Sequence, residues 1–338
     1  MLASIVIRTY NEEKYLEGLL AAIFEQVCAS GNVEVVIVDS GSTDETLDIA
    51  TKHGCRIVHI SKSDFTFGRS LNFGCENARG AFLVFVSGHC IPTNEYWLDE
   101  LVKPLIDGSV SYVYGRQEGR DTTKFSESRH LEKCFPPYAK LPQDGFFCNN
   151  ANAALTRKAW ERYGFHEELT GLEDMYLAKQ LVEAGENIGY VPSASVYHIH
   201  DETWRQIRIR YEREAFALRR ILPEVHFTLA DFIRFYLSST LSDSFVAIRE
   251  KVFLKKVQEI LLFRLMHYWG TYKGNHEHRK LSMERKMSYF YPKDLEKSVY
   301  EQKKIVALLP MKANSDRVVG KNFKGRFQVP SATLFKRR

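Results

Sequence analysis

Along the first 115 positions, apolar residues fall in short unbroken runs separated by stretches of helical period. ASIVIR (3–8), VEVVIVD (33–39), CRIVHI (55–60), AFLVFV (81–86) and SVSYVYG (109–115) read as strands. Runs without polar alternation need cover on both faces, so these strands are predicted to be buried on each side. Between the first two, Leu16, Leu19, Leu20, Ile23, Phe24 and Val27 recur at helical spacing. Asn11 is the predicted cap of that helix, with Glu12 and Glu13 in its first turn. Further helices are predicted from near Thr43, over 68–79 and over 95–106. The alternation predicts the α/β class: a Rossmann-like, mainly parallel sheet with helices on both faces. Ligands in such sheets sit beyond the carboxyl ends of the strands. Thr9-Tyr10-Asn11, Asp39-Ser40 and Ser87-Gly88-His89 are therefore expected to border one crevice.

After residue 140 the pattern changes. FFCNNANAALTRKAW predicts a strand and then a helix. GLEDMYLAKQLVEAG reads as a helix with acidic residues at its start and a glycine stop. IGYVPSASVYHIH reads as one or two strands around Pro192. Residues 204–222 read as a basic helix, and 228–270 as one or two long helices rich in Phe, Leu, Ile and Tyr with interspersed Lys and Arg.

Composition narrows the function classes. The 338 residues are 44% hydrophobic, enough for a sizeable core, and carry a mild net charge of +5. That charge weakly favours an anionic partner such as a nucleotide or a membrane surface, and no nucleic-acid-binding signature is present, so no nucleic acid is expected. The six cysteines are scattered without CxxC or zinc spacing, as expected of free thiols in a reducing cytosol. SIVIRT begins a strand at once, so no signal peptide is expected. No uncharged apolar stretch approaches the length of a transmembrane helix.

IVIRTYNEEKYLEGLL, VVIVDSGSTDET, FGRSLNFGCENARGAFLVFV, GLEDMYLAKQL and VYHIH occur in this order. Together they make residues 1–215 resemble the family 2 inverting glycosyltransferases of GT-A fold. The FGRSLN…ARGAFLVFV…CIPTNEYWL run is most similar to bacterial rhamnosyltransferases and related capsule and lipopolysaccharide enzymes. The resemblance implies a catalytic domain over 1–222, a helical region over 223–300, and transfer of a hexosyl or deoxyhexosyl unit from a nucleotide-sugar donor to a glycan or lipid-linked acceptor.

Glycosyl transfer needs a stabilised diphosphate leaving group, a base for the acceptor hydroxyl and a fixed nucleotide. By resemblance, Asp174 is the expected base and Glu173 its supporting neighbour, although acidic residues also collect at helix starts for dipole reasons alone. Thr9, Tyr10, Asn11, Glu12, Asp39, Ser40, Arg69 and Ser87 are the expected nucleotide contacts; Asp39 read by itself could equally cap the next helix. Asn149, Asn150 and Asn152 occupy the positions of sugar and acceptor contacts. The family's Asp-x-Asp position at the end of the fourth strand holds Ser87-Gly88-His89 here. His89, with His198 or His200, then becomes the expected metal set, one that suits Mn²⁺ better than Mg²⁺. A metal-free alternative assigns the diphosphate to Arg208, Arg210 and Arg213. Gln206-Ile207-Arg208-Ile209-Arg210-Tyr211 does not match the QxxRW of processive synthases, so single additions are expected.

Two readings concern the remainder of the chain. FIRFYL and VFLKKVQEILLFRLMHYW mix large apolar groups with cations, so the helical region either packs on the catalytic domain or lies on the inner face of the cytoplasmic membrane. KKIVALLPMKANSDRVVGKNFKG (303–325), within a basic tail over 301–338, resembles the opening strand and nucleotide loop of acylneuraminate cytidylyltransferases. Only that beginning is present, as in a truncated or frame-shifted two-domain gene. The rival to an active enzyme is a catalytically weakened nucleotide-sugar-binding or scaffold protein that kept the fold without its Asp-x-Asp.

Overall fold

The computed structural model describes residues 3–27, 33–292 and 294. The tail reading at 303–325 lies outside the described residues. In chain order the elements are β1 (Ala3–Thr9), α1 (Glu13–Phe24), β2 (Val33–Asp39), α2 (Thr46–Lys52), β3 (Arg56–His59), α3 (Phe67–Asn77), β4 (Phe82–Val86), β5 (Cys90–Pro92), α4 (Trp97–Ile106) and β6 (Tyr112–Glu118). They continue as α5 (Phe125–Cys134), β7 (Asn152–Thr156), α6 (Arg157–Tyr163), α7 (Glu173–Glu183), β8 (Ile188–His198), α8 (Trp204–Ile221), α9 (Leu229–Arg249), α10 (Phe253–Asn275) and α11 (Met283–Phe290).

The eight strands form one sheet of order β3-β2-β1-β4-β7-β6-β8-β5. The run from β3 to β4 is parallel, as is β6 with β8, while β7 and β5 enter antiparallel. Side-chain alternation sorts the strand residues between two cores. Ile5, Ile7, Val35, Ile37 and Val84 pack with the apolar faces of α1 and α4. Val6, Val36, Val38, Leu83 and Phe85 pack with α3, α6 and α7. Continuous apolar runs follow from that double cover. Thr9 lies opposite Asp39 in the β1–β2 register, so the two strands end level and their following loops meet.

Two local expectations need correction. Asn11 does not cap α1: it adopts a left-handed conformation, φ 54°, and its Oδ1 accepts from the Thr43 amide. The helix expected near Thr43 begins at Thr46, where Asp44 Oδ1 accepts from the Thr46 amide. Of the one or two strands expected around Pro192 there is one: β8 runs through it from Ile188 to His198.

The C-terminal helices dock closely. A Cβ on Gly270 would lie 2.4 Å from the Arg208 carbonyl oxygen, and one on Gly274 2.0 Å from that of Glu212. Only glycine allows α10 to approach α8 so nearly. Arg264 in α10 donates to Asp243 of α9 at 2.7 Å and to the Ser126 carbonyl of α5 at 3.2 Å. The described residues belong to one compact unit.

Candidate functional site

A cleft of about 440 Å³ opens beyond the carboxyl ends of β1, β2 and β4. Thr9, Tyr10, Glu12, Ser40, Ser87 and His89 line it from that side. Asn149, Asn150, Glu173, Asp174, His198 and His200 face them, with Arg210 and Arg213 from α8. The structure thus brings most of the expected site residues to one place, and leaves Asn11, Asp39, Arg69, Asn152 and Arg208 off the cleft lining.

Each of those five is engaged elsewhere. Asp39 is fully buried: its Oδ2 accepts from the amides of Gly41 and Ser42, and its Oδ1 from the hydroxyls of Thr9 and Ser42. It shapes the loop that carries Ser40. Gly41 turns that loop at φ +95°, a value L side chains rarely adopt. Arg69 pairs with Glu167 at 2.9 Å. Asn152 accepts from Trp97 Nε1 and donates to the carbonyls of Arg116 and Ala194 inside the sheet. Arg208 binds Glu212 one turn along α8.

The Glu173-Asp174 pair opens α7 just after Leu172, which holds the left-handed backbone conformation. Asp174 Oδ2 accepts from the Asn150 amide at 2.8 Å and Oδ1 from the Met175 amide at 2.7 Å. Burial, and next the charge of Glu173, push the Asp174 carboxyl up to about 7. A carboxyl in that range takes and returns a proton near neutrality. Glu173 Oε1 receives Arg8 Nη1 at 3.1 Å, and Arg8 also donates to the Phe67 carbonyl.

The three histidines converge. His89 Nδ1 meets Glu12 Oε1 at 3.2 Å, His198 Nδ1 meets Gln117 Oε1 at 2.6 Å, and His200 Nδ1 meets Glu127 Oε1 at 2.9 Å. Those oxygens accept, so the bonding assigns each proton to Nδ1 and leaves Nε2 as the lone-pair nitrogen. His198 Nε2 is buried with no hydrogen-bond partner. Burial, then His200 and His89, hold the His198 imidazole neutral, well below its usual range. One ligand atom from each histidine lies within 4.8 Å of the others. Neutral imidazoles oriented by oxygen acceptors, with an orphaned buried nitrogen among them, fit a borderline divalent cation such as Mn²⁺.

Glu127, His200 and Glu202 also cluster, but Arg210 already occupies that group, with Nη2 at 2.6 Å from Glu127 and 2.7 Å from Glu202. Burial would raise the Glu127 carboxyl; His200 and Arg210 outweigh it and hold it at about 2. Arg210 is therefore committed to carboxylates. Arg213 differs. Its guanidinium lies 4.7 Å from the Phe67 ring centroid, Nη1 donates to the Tyr289 carbonyl, Nη2 makes only a long pair with Glu214 at 3.6 Å, and its buried Nε has no partner. Of the three expected diphosphate arginines, Arg213 is the one with a donor to spare at the cleft.

Several site residues escaped the sequence reading. Arg8 was visible only as the single charge at the end of an apolar run. Gln117 and Glu127 fall in or beside segments without a motif. Phe290, Tyr291 and Pro292 also line the cleft, where Tyr291 packs edge-on against Tyr10 with centroids 4.7 Å apart. Asp294 accepts from the Tyr10 hydroxyl at 2.7 Å and from Lys62 at 3.0 Å, tying this segment to β1. No local signal joins residues nearly 300 positions apart.

Residues 4–164 match the family described as glycosyl transferase family 2. The O-antigen chain rhamnosyltransferase WbaN of Salmonella anatum is 33% identical over 191 residues, covering 53% of this chain and 60% of WbaN. The O-antigen chain rhamnosyltransferase RfbN of Salmonella typhimurium is 28% identical over 223 residues, covering 62% of this chain and 70% of RfbN. The mannosyltransferase PcManGT of Pyrobaculum calidifontis, solved with GDP-Man and Mn²⁺, superposes with a TM-score of 0.52 at 18% identity, over 90% of this chain and 84% of that one. That likeness concerns the fold.

Proposed function

We propose that this chain, whose residues 4–164 match glycosyl transferase family 2, is an inverting, single-addition enzyme of surface-polysaccharide synthesis. It moves a hexosyl or deoxyhexosyl unit from a nucleotide sugar to a hydroxyl of a glycan or lipid-linked acceptor. The observation that carries this reading is Asp174: a desolvated carboxyl at a cleft edge, poised near neutrality, facing the loops that end β1, β2 and β4.

In the proposed reaction the acceptor oxygen bonds to the anomeric carbon as the bond from that carbon to the diphosphate oxygen breaks. Asp174 takes the acceptor's proton, and the leaving diphosphate keeps the electron pair. Glu173, held by Arg8, orients the acceptor beside it. Thr9, Tyr10 and Ser40 form the nucleotide side of the cleft, with Asp39 fixing the loop under Ser40. Asn149 and Asn150 supply polar contacts to sugar or acceptor. A divalent cation on His89, His198 and His200, Mn²⁺ in preference to Mg²⁺, would supply positive charge to the leaving diphosphate. Arg213 offers a guanidinium donor to the same group. The names of the Salmonella relatives support a deoxyhexose donor and an O-antigen type of product.

The test combines thermal shift and product analysis. UDP-, GDP-, dTDP- and CMP-linked sugars are screened with Mn²⁺ and with EDTA, and the donor that binds is incubated with lipid-linked saccharides. Expected are a raised melting temperature for one donor class and a product whose anomeric configuration is opposite to the donor's. Binding without transfer to any hydroxyl would favour the scaffold reading; no binding of any nucleotide sugar would reject both.

A further inference from the structure

Ten of the nineteen exposed large apolar side chains among the described residues lie on α9 and α10. On α9, Leu229, Ile233, Leu237, Leu241, Phe245 and Ile248 follow one another at spacings of four, four, four, four and three. Steps of four drift by about 40° each at 3.6 residues per turn, so they form a stripe that winds round the outward side of α9. At 1.5 Å per residue the stripe is about 28 Å long. Nothing in the described molecule covers it: Leu241 is 70% exposed and Phe245 63%. The opposite face of α9 is spent on the fold, with Asp243 and Ala247 buried and Ser239 bonded to Tyr268.

The stripe ends at a cationic corner. Leu254, 90% exposed, projects at the start of α10, and Arg249, Lys251 and Lys255 are exposed around it. The carboxylates nearest this corner are mostly committed: Asp243 pairs with Arg264, and Glu259 with Lys256. Glu250 is the remaining exposed acid of this corner. A long apolar stripe that finishes in clustered Lys and Arg, with Ala230, Arg234, Phe235, Ser238 and Ser242 as the other exposed residues of α9, complements an anionic lipid surface: acyl chains take the leucines, headgroup phosphates take the cations. A second copy of the chain would bring the same cationic corner and no matching carboxylate cluster. No described helix is long and apolar enough to cross a membrane, so the geometry is that of a helix lying in the interface plane.

We infer that the outward face of α9, with Leu254 and the cations at the α9–α10 corner, is the surface by which this protein lies on an anionic phospholipid bilayer. The inference stands on exposure and charge, apart from the transferase reading, though a lipid-linked acceptor would be presented at the same surface.

The experiment is co-sedimentation of the full chain with vesicles of phosphatidylcholine alone or mixed with phosphatidylglycerol, compared with Leu241→Asp/Phe245→Asp. Both positions are exposed, so the variant should keep its circular dichroism, its melting temperature and its nucleotide affinity. Expected is binding to the mixed vesicles, weakened by salt, and reduced in the variant by roughly tenfold or more for each apolar group lost. Arg249→Glu/Lys251→Glu should erase the preference for phosphatidylglycerol. A wild-type chain that stays in the supernatant would overturn the proposal, as would a variant that sediments like wild type. So would a lipid-free dimer by light scattering that the variant dissolves, since the stripe would then be covered by a second copy. None of these outcomes touches transfer to a water-soluble acceptor, which tests the catalytic reading separately.

Discussion

Asp174 and His198 show how single residues acquire their chemistry from what surrounds them. Asp174 has two amides to hold its charge, yet burial and Glu173 win and push the carboxyl up to about 7. A general base works deprotonated, so turnover should rise with pH through that value and level off above it. Asp174→Asn should lower kcat by roughly 10²–10⁴-fold and leave nucleoside diphosphate affinity near wild type. A pH–rate profile in which the variant keeps the wild-type acid limb would remove Asp174 from the role. His198 depends on Gln117 for its tautomer. Gln117→Ala should cost roughly 10–100-fold in metal affinity, read by calorimetry with Mn²⁺ or by the visible spectrum of Co²⁺; unchanged affinity would mean that the histidines do not act as a ligand set. His89→Asp should shift preference toward Mg²⁺, because a carboxylate is the harder ligand. The sequence located Asp174, His89, His198 and His200, because each sits at the end or start of a readable element. That Asn11, Asp39, Arg69, Asn152 and Arg208 lie off the cleft lining was not legible, because a polar residue near a strand or helix end reads alike whether it faces a ligand or a neighbour such as Glu167 or Glu212.

At the scale of elements, the strands with unbroken apolar runs were readable to within a few residues, since being covered on both faces leaves a composition that no loop shares. β5 and α5 were not. β5 is three residues long and exists only because β8 pairs with it. α5 carries little apolar periodicity; its buried Glu127 and Ser126 are spent on His200, Arg210 and Arg264 instead. The approach of α10 to α8 was equally invisible, since nothing in the sequence sets Gly270 and Gly274 apart from glycines that merely weaken a helix. Gly274→Ala would set a methyl 2.0 Å from the Glu212 carbonyl oxygen. Neither helix backbone can yield there cheaply, so the substitution should destabilise by about 1–3 kcal/mol, where alanine in an unconstrained helix would stabilise. Urea denaturation of the variant decides the sign.

Across the whole molecule, the C-terminal helices are joined to the cleft by a buried ion pair rather than by apolar packing alone. Arg264 lies between Asp243 of α9 and the Ser126 carbonyl of α5, and the residue after Ser126 is Glu127, which orients His200. Arg264 and Asp243 are both almost wholly buried, and Asp243 Oδ1 has no other partner. Removing one partner strands the other's charge in a low-dielectric interior, a loss of about 3–5 kcal/mol, whereas replacing both removes the stranded charge. Arg264→Met should therefore be strongly destabilising, and Arg264→Met/Asp243→Leu should recover much of the loss. Because the same guanidinium holds the start of α5, the single variant should also weaken metal binding at His200, while a lesion confined to α9 and α10 would not. Tryptophan fluorescence and metal calorimetry on the two variants test this together. Trp97 reports the sheet core and Trp269 the α9–α10 pair, so one shared urea transition is expected in wild type. If Arg264→Met leaves metal affinity intact while the α9–α10 signal alone shifts, the helices are an appendage and the link through α5 is wrong.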